Sequence, residues 1–334
     1  MTVRIAKPSV NIREKLAELE RPIGLNGQAL LATETPQQAF DLLGAGRRNL
    51  IINGDMRISQ RGTSFVNPSS DQYTLDRFFK GSTTSNFTLS QGTSTLPSGK
   101  NVNTLDCVCN SSVSHWLDTY QGIEDFKLIS GQTITLSAWV KTNHPDITFR
   151  QYSTKNIGNT FIPDGQWRYY TATTTLGSIT SLTRGANSPY FGITNTSTSS
   201  WTTGQYVQFT EFQIEVGKVA TPFEYRSIGE ELALCQRYYQ EIGNGNNGSN
   251  EIVEGGYGTN AMSVYNSIQL PVEMRTVPTL SQVGTLYTVN IGQPGSLSGH
   301  VGRKSFSIAN TVTSAGTWVY ATSTSAYFTL SAEL

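Results

Sequence analysis

The chain has 334 residues, a formal net charge of zero, 14% charged side chains and three cysteines. Both nucleic acid and acidic membrane demand a basic field, so this balance argues against either as the main partner. Three cysteines cannot build a disulfide framework, and the length predicts two β domains plus a small N-terminal element.

The opening MTVRIAKPSV lacks an apolar core. No later run approaches the ~20 apolar residues of a membrane helix, so no membrane insertion is expected, and synthesis in a reducing cytoplasm is. Cys107-x-Cys109 lacks zinc-ligand spacing and a second pair, so Cys107, Cys109 and Cys235 are expected to be small buried residues.

In residues 1–46, Asn11 with Glu14 forms a capping box before Ile12, Leu16 and Leu19, and Arg21-Pro22 closes that helix. Thr35-Pro36 with Gln38 opens a second helix carrying Phe40, Leu42 and Leu43, closed by Gly44. Two short helices bury little alone, so they predict an attachment segment, or else an arm wrapped on its own domain.

From residue 47 to 226 strand patterns dominate. Thr133, Thr135 and Ser137 alternate with Ile134, Leu136 and Ala138 before Trp139-Val140. Similar runs occur at Phe87 to Leu89, Trp167 to Ala172, Tyr190 to Ile193 and Tyr206 to Val216, divided by Gly, Pro, Asn and Ser clusters. Many short strands without intervening helices predict a jelly-roll β-sandwich.

Residues 227–243 read as a connecting helix. Ser227 and Glu230 have capping-box spacing, Glu230 and Glu231 suit the positive end of the dipole, and Gly243 suits the C-terminal end. Ile228, Leu232, Cys235, Tyr239 and Ile242 are spaced four, three, four, three, which fits either a seam shared with other helices or a face laid on its own domain. Residues 244–334 begin with the loop NGNNGSN and continue as Gly- and Thr-rich strands, predicting a smaller C-terminal β-sandwich.

Four stretches carry a resemblance. They are Asn49-Leu-Ile-Ile-Asn-Gly-Asp-Met-Arg-Ile-Ser-Gln-Arg-Gly-Thr63, Tyr73-Thr-Leu-Asp-Arg77, Phe212-Gln-Ile-Glu-Val-Gly-Lys-Val-Ala-Thr-Pro-Phe-Glu-Tyr-Arg226 and Leu234-Cys-Gln-Arg-Tyr-Tyr239. In this order they resemble bacteriophage tail-fibre receptor-binding proteins, with a carbohydrate-binding-module-like jelly roll, a helix and a small C-terminal β domain. The resemblance spans roughly Asn49 to Gln240. It implies a virion tail subunit that recognises a host-surface glycan, a homotrimer with Ile228, Leu232, Cys235, Tyr239 and Ile242 on the threefold seam, and a tail or baseplate partner for residues 1–46.

Locally, Asn53-Gly54 predicts a positive-φ turn and Asp76-Arg77 a carboxylate–guanidinium pair. Soluble relatives of this jelly roll often place a calcium-binding glutamate where Arg57 stands here. A cation cannot ligate calcium, so no metal is expected, and Arg57 is expected to pair with Glu211 or Glu215. No cofactor is implied.

Saccharides stack on aromatic faces, which nominates Trp116, Trp201 and Tyr206 in the jelly roll, and Tyr257, Tyr287, His300, Arg303 and Trp318 at the tip. Trp139 and Trp167, inside strand patterns, are expected in the core. A glycan depolymerase is the less favoured alternative. Glu230 and Glu231 cap a helix, Glu124 and Asp125 are adjacent in a turn, and His115, His144 and His300 are scattered outside any catalytic motif. A collar or head fibre with no receptor contact is the other alternative.

Overall fold

Two antiparallel sheets face one another because each supplies one apolar side of the same core. The computed structural model describes residues 48–81, 86–152, 155–185, 187–196, 199–244, 252–294, 301–323 and 325–334. The expected N-terminal helices, the NGNNGSN loop beyond Asn244 and His300 lie outside the described residues.

The first thirteen strands are β1 (Ser64–Val66), β2 (Phe79–Lys80), β3 (Phe87–Thr95), β4 (Asn101–Cys109), β5 (Val113–His115), β6 (Asp118–Gly122), β7 (Thr133–Thr142), β8 (Ile147–Gln151), β9 (Lys155–Ile157), β10 (Arg168–Thr175), β11 (Tyr190–Asn195), β12 (Ser199–Trp201) and β13 (Tyr206–Val216). One sheet runs β1-β3-β4-β13-β7-β10 and the other β2-β6-β11-β8-β9. Ile134, Leu136, Ala138 and Val140 of β7, Phe149 of β8, and Phe191 and Ile193 of β11 meet in the core. The expected jelly-roll β-sandwich is therefore present. In β13 the register shifts between Thr210 and Gln213, with Glu211 at φ +51°. This bulge reverses the alternation, so Phe209 before it and Phe212 after it both enter the core.

Cys107, Cys109 and Cys235 are free and buried, as expected. Asn53 takes the expected positive φ, +60°. Its neighbour must be glycine, because a Cβ on Gly54 would overlap the Phe212 carbonyl oxygen. Two expected ion pairs form differently. Arg57 pairs with Asp55 and donates to the Arg226 carbonyl at 2.8 Å, whereas Glu211 binds Lys100 and Glu215 accepts from Thr221. Asp76 accepts from the Gln60 backbone and side-chain amide, both at 2.6 Å, while Arg77, at φ +70°, pairs with Glu333 and donates to the Gly122 carbonyl at 2.9 Å. Sequence neighbours at a positive φ point apart, so each finds a distant partner.

Helix α1 spans Ile228–Gln236 and is capped by Ser227, whose side chain accepts from the Glu230 N–H at 3.2 Å. It ends seven residues, about two turns, before Gly243. Tyr239 and Ile242 lie instead on β14 (Tyr239–Ile242), so the five spaced residues do not form one helical seam. Glu231 and Cys235, one turn apart, are the helix's buried residues, while Ile228 is 61% exposed. Glu231 accepts from the Asn53 N–H at 2.5 Å and from Arg226 at 3.2 Å, and Arg226 also donates to the Ile51 carbonyl at 3.0 Å. The helix lies on its own chain, bolted to the Asn49–Gly54 turn.

The remaining strands are β15 (Val253–Gly258), β16 (Ser263–Gln269), β17 (Thr279–Val283), β18 (Tyr287–Val289), β19 (Ser305–Thr311), β20 (Gly316–Ala321) and β21 (Tyr327–Ser331). They pair as β14-β21-β17, β15-β20-β18 and β16-β19 around a second core that includes Phe306, Trp318, Phe328 and Leu330. From β21 the chain returns to the sandwich. Ala332 N–H donates to the Tyr238 carbonyl at 2.8 Å, and Glu333 pairs with Arg61 at 2.8 Å and with Arg77. The two guanidinium groups stack on the Tyr239 and Tyr238 rings at 3.7 and 3.5 Å.

Candidate functional site

The outer face of the five-stranded sheet departs from the polar surface expected of a sandwich. Pairing aligns Phe79, Tyr120, Gly192, Arg150 and Asn156 in one row across β2, β6, β11, β8 and β9. Side chains alternate, so these point away from the core that Phe149, Phe191 and Ile193 fill. Phe79, Tyr120 and Tyr190 form a separate apolar cluster with Tyr73, Tyr152 and Leu334 against it. Gly192 sets the depth of this face, because a Cβ there would overlap the Thr119 carbonyl oxygen and crowd the Tyr120 ring.

One end of this face is roofed. The Arg184 guanidinium lies 4.1 Å over Phe79, and the Tyr73 hydroxyl donates to the Leu334 carbonyl at 2.9 Å. The other end is an open cleft of about 230 Å³ lined by Trp116, Asp118, Tyr120, Arg150 and Tyr152. Tyr152 meets Tyr120 edge to face at 5.1 Å, and the Arg150 guanidinium stacks on Trp116 at 4.1 Å. Asp118 accepts from Thr194 at 2.7 Å and from the Tyr120 hydroxyl at 3.3 Å. Burial pushes the Asp118 carboxyl above its ordinary value, opposed by the Thr194 hydrogen bond and the Arg150 charge. Burial likewise raises the Tyr120 hydroxyl, keeping it a donor. Rings, an acceptor and a cation thus face one open space. This set suits a polyhydroxylated ring, which offers C–H faces to aromatics and hydroxyls to charged groups.

Of the residues nominated from sequence, Trp116 reaches this cleft. Trp201 is 1% exposed, stacked on His144 at 3.9 Å and edge-on to Phe87 at 5.2 Å, so it is core and unavailable to a ligand. Trp318 is 6% exposed in the second core, and Arg303 pairs with Glu273 at 2.9 Å and donates to the Met274 carbonyl at 2.9 Å. Tyr257, 77% exposed, and Tyr287 stand on the outer face of the β15-β20-β18 sheet, away from Trp318 in its core. Tyr206 is half-buried, with Lys141 over its ring. Trp139 and Trp167 are half-buried and outside the core. Trp139 shares the Thr133–Ser137 face and packs on Tyr169, and Trp167 donates to Ser94 at 2.9 Å.

Asp118, Tyr120, Arg150 and Tyr152 escaped the sequence reading. Their signal is a charge followed two residues later by a tyrosine, twice, on strands that present both to one face. Among the described residues no cluster of three or more His, Cys, Asp or Glu side chains is placed to hold a metal ion.

No protein-family model matches the chain, and no curated protein matches it. Among solved structures it is similar to the CBM22-1 xylan-binding domain of Paenibacillus barcinonensis Xyn10C, at 13% identity over 47% of this chain and 94% of that one, with a TM-score of 0.30. The CBM22-1–CBM22-2 tandem of the same protein aligns at 12% identity over 82% of this chain and 100% of its own, TM-score 0.30. An exo-beta-agarase aligns at 13% identity over 52% of this chain and 30% of that chain, TM-score 0.29. Superpositions this loose carry nothing about ligand or activity to this chain, whose fold stands on its own strand order.

Proposed function

We propose that the chain binds a saccharide, without cleaving it, in the cleft of Trp116, Asp118, Tyr120, Arg150 and Tyr152. The observation that carries this is the convergence of three aromatic rings, a carboxylate and a guanidinium on one open sheet face. Binding rather than hydrolysis is favoured by the carboxylates. Glycoside hydrolysis takes two across one scissile bond, and Asp118 is the carboxylate lining this cleft. Glu124, read from sequence as a turn residue beside Asp125, accepts from Arg237 at 3.0 Å and from the Tyr238 hydroxyl at 2.7 Å.

In the wider setting, we propose a host-recognition subunit of a bacteriophage tail fibre. The support is the order of the four sequence stretches from Asn49 to Tyr239. In that setting residues 1–46 join a tail or baseplate protein and the subunits associate as a homotrimer, through surfaces other than the buried Cys235 and Tyr239.

Titration of the purified chain against host envelope polysaccharide tests the first proposal. Trp116→Ala and Tyr152→Ala are each expected to weaken binding about tenfold, the loss of one stacked ring. Wild-type affinity in both variants places the ligand elsewhere, and release of reducing sugar overturns the non-catalytic reading. Adsorption that continues unhindered in excess free protein favours an architectural fibre over a receptor-binding one.

A further inference from the structure

The Arg150 guanidinium is held in position and, among the described residues, makes no contact ion pair. Trp116 supports one of its faces at 4.1 Å. Among the described residues its guanidinium makes one hydrogen bond, long at 3.4 Å, from Nη1 to the Asn195 carbonyl, and its buried Nε has no acceptor. Arg150 enters no salt bridge among the described residues, unlike Arg57, Arg61, Arg77, Arg168, Arg184, Arg226, Arg237 and Arg303, each paired with a carboxylate.

Asp118 is the near anion, but its carboxylate is turned to other work. It accepts from Thr194 and Tyr120, and its charge also acts on Lys80, a fully buried ammonium on β2. His115, next to Trp116, has a buried Nδ1 without a partner among the described residues. A cation that a protein holds rigid, half-shielded from water and short of acceptors is a receptor for an oxyanion, since a guanidinium offers paired N–H groups at the spacing of two oxygens.

Resting on the saccharide reading above, we propose that the cleft selects acidic saccharides. The sugar's ring lies against Tyr152, above the buried Tyr120 ring that forms the floor, and its carboxylate or phosphate substituent meets Arg150.

The probe is an oligosaccharide array carrying uronic-acid, sialylated and phosphorylated glycans beside their neutral parents, read with the full chain and with Arg150→Gln and Arg150→Lys. Charge-assisted hydrogen bonds of this kind predict acidic members bound at least about tenfold more tightly than their parents. Arg150→Gln is expected to erase that preference, so that acidic members bind no more tightly than their neutral parents measured with the same variant, and Arg150→Lys to retain part of it. The carboxylated and phosphorylated arms tell which oxyanion is taken. Equal or tighter binding of neutral parents, or an unchanged preference in Arg150→Gln, overturns the acidic selectivity and leaves saccharide binding standing. An array with no bound member removes both.

Discussion

Gly192 shows how one residue ties the sandwich to its outer face. It has no side chain because the Thr119 carbonyl oxygen and the Tyr120 ring occupy the space on either side. Gly192→Ala is expected to lower stability by about 1–3 kcal/mol, as overpacking does, seen as a lower urea midpoint. It is also expected to weaken saccharide binding by displacing Tyr120, and a variant with wild-type midpoint and affinity counts against this account of the cleft floor. At this scale the sequence was legible where chemistry is local. The Asn53-Gly54 turn and the three buried cysteines could be read directly, since a positive φ and a small apolar thiol need little context. The tryptophans could not. Trp116 and Trp201 both adjoin polar loops, yet the pairing of β5 with β12 buries Trp201 over His144 while Trp116 is left at the cleft.

Helix α1 is an element with one legible end. Its start is a side-chain cap within four residues, and Ser227 and Glu230 announce it. Its stop is imposed from afar. Tyr239 to Ile242 continue the heptad spacing, but pairing with Phe328 to Ser331 draws them into a strand, and no local signal records that partner. The helix is held chiefly by Glu231, whose carboxylate joins the Asn53 N–H to Arg226 in a buried site. Glu231→Ala is expected to cost about 3–5 kcal/mol, because Arg226 is left buried and under-compensated. Ser227→Ala removes one exposed cap and is expected to cost about 1 kcal/mol. Urea unfolding of the two variants checks the order, and a Ser227→Ala effect as large as that of Glu231→Ala contradicts it. The cleft is likewise non-local. Strands β6 and β8 are distant in sequence, and their register through β11 is what sets Tyr120 beside Arg150 across Gly192.

Across the whole molecule, burial raises the carboxyl groups of Asp55, Asp76, Asp106, Asp118 and Glu231 above their ordinary values. The folded chain therefore holds these protons at a pH where the unfolded chain has released them. Stability rises as pH falls through the raised values, and this gain is complete below the ordinary carboxyl range of about 4. Asp164, exposed and held low by its hydrogen bond to Arg168, opposes the trend weakly. His144, whose imidazole burial holds below its ordinary value, also opposes it, because it resists protonation as pH falls. The urea midpoint is expected to be higher near about pH 5 than near about pH 7.5, and a midpoint that instead rises from the lower to the higher pH refutes the assignment. The same burial gives Glu333 a role in time. It meets Arg77 and Arg61 across 256 and 272 residues of chain. A ribosome adding about 5–20 residues per second needs roughly 13–50 s to make that stretch. During that interval the newborn sandwich carries a guanidinium destined for its interior and no anion to receive it. The moment at which the aromatic face takes its final shape is thus set by residues 332–334, which follow β21, and not by the strands that form the face.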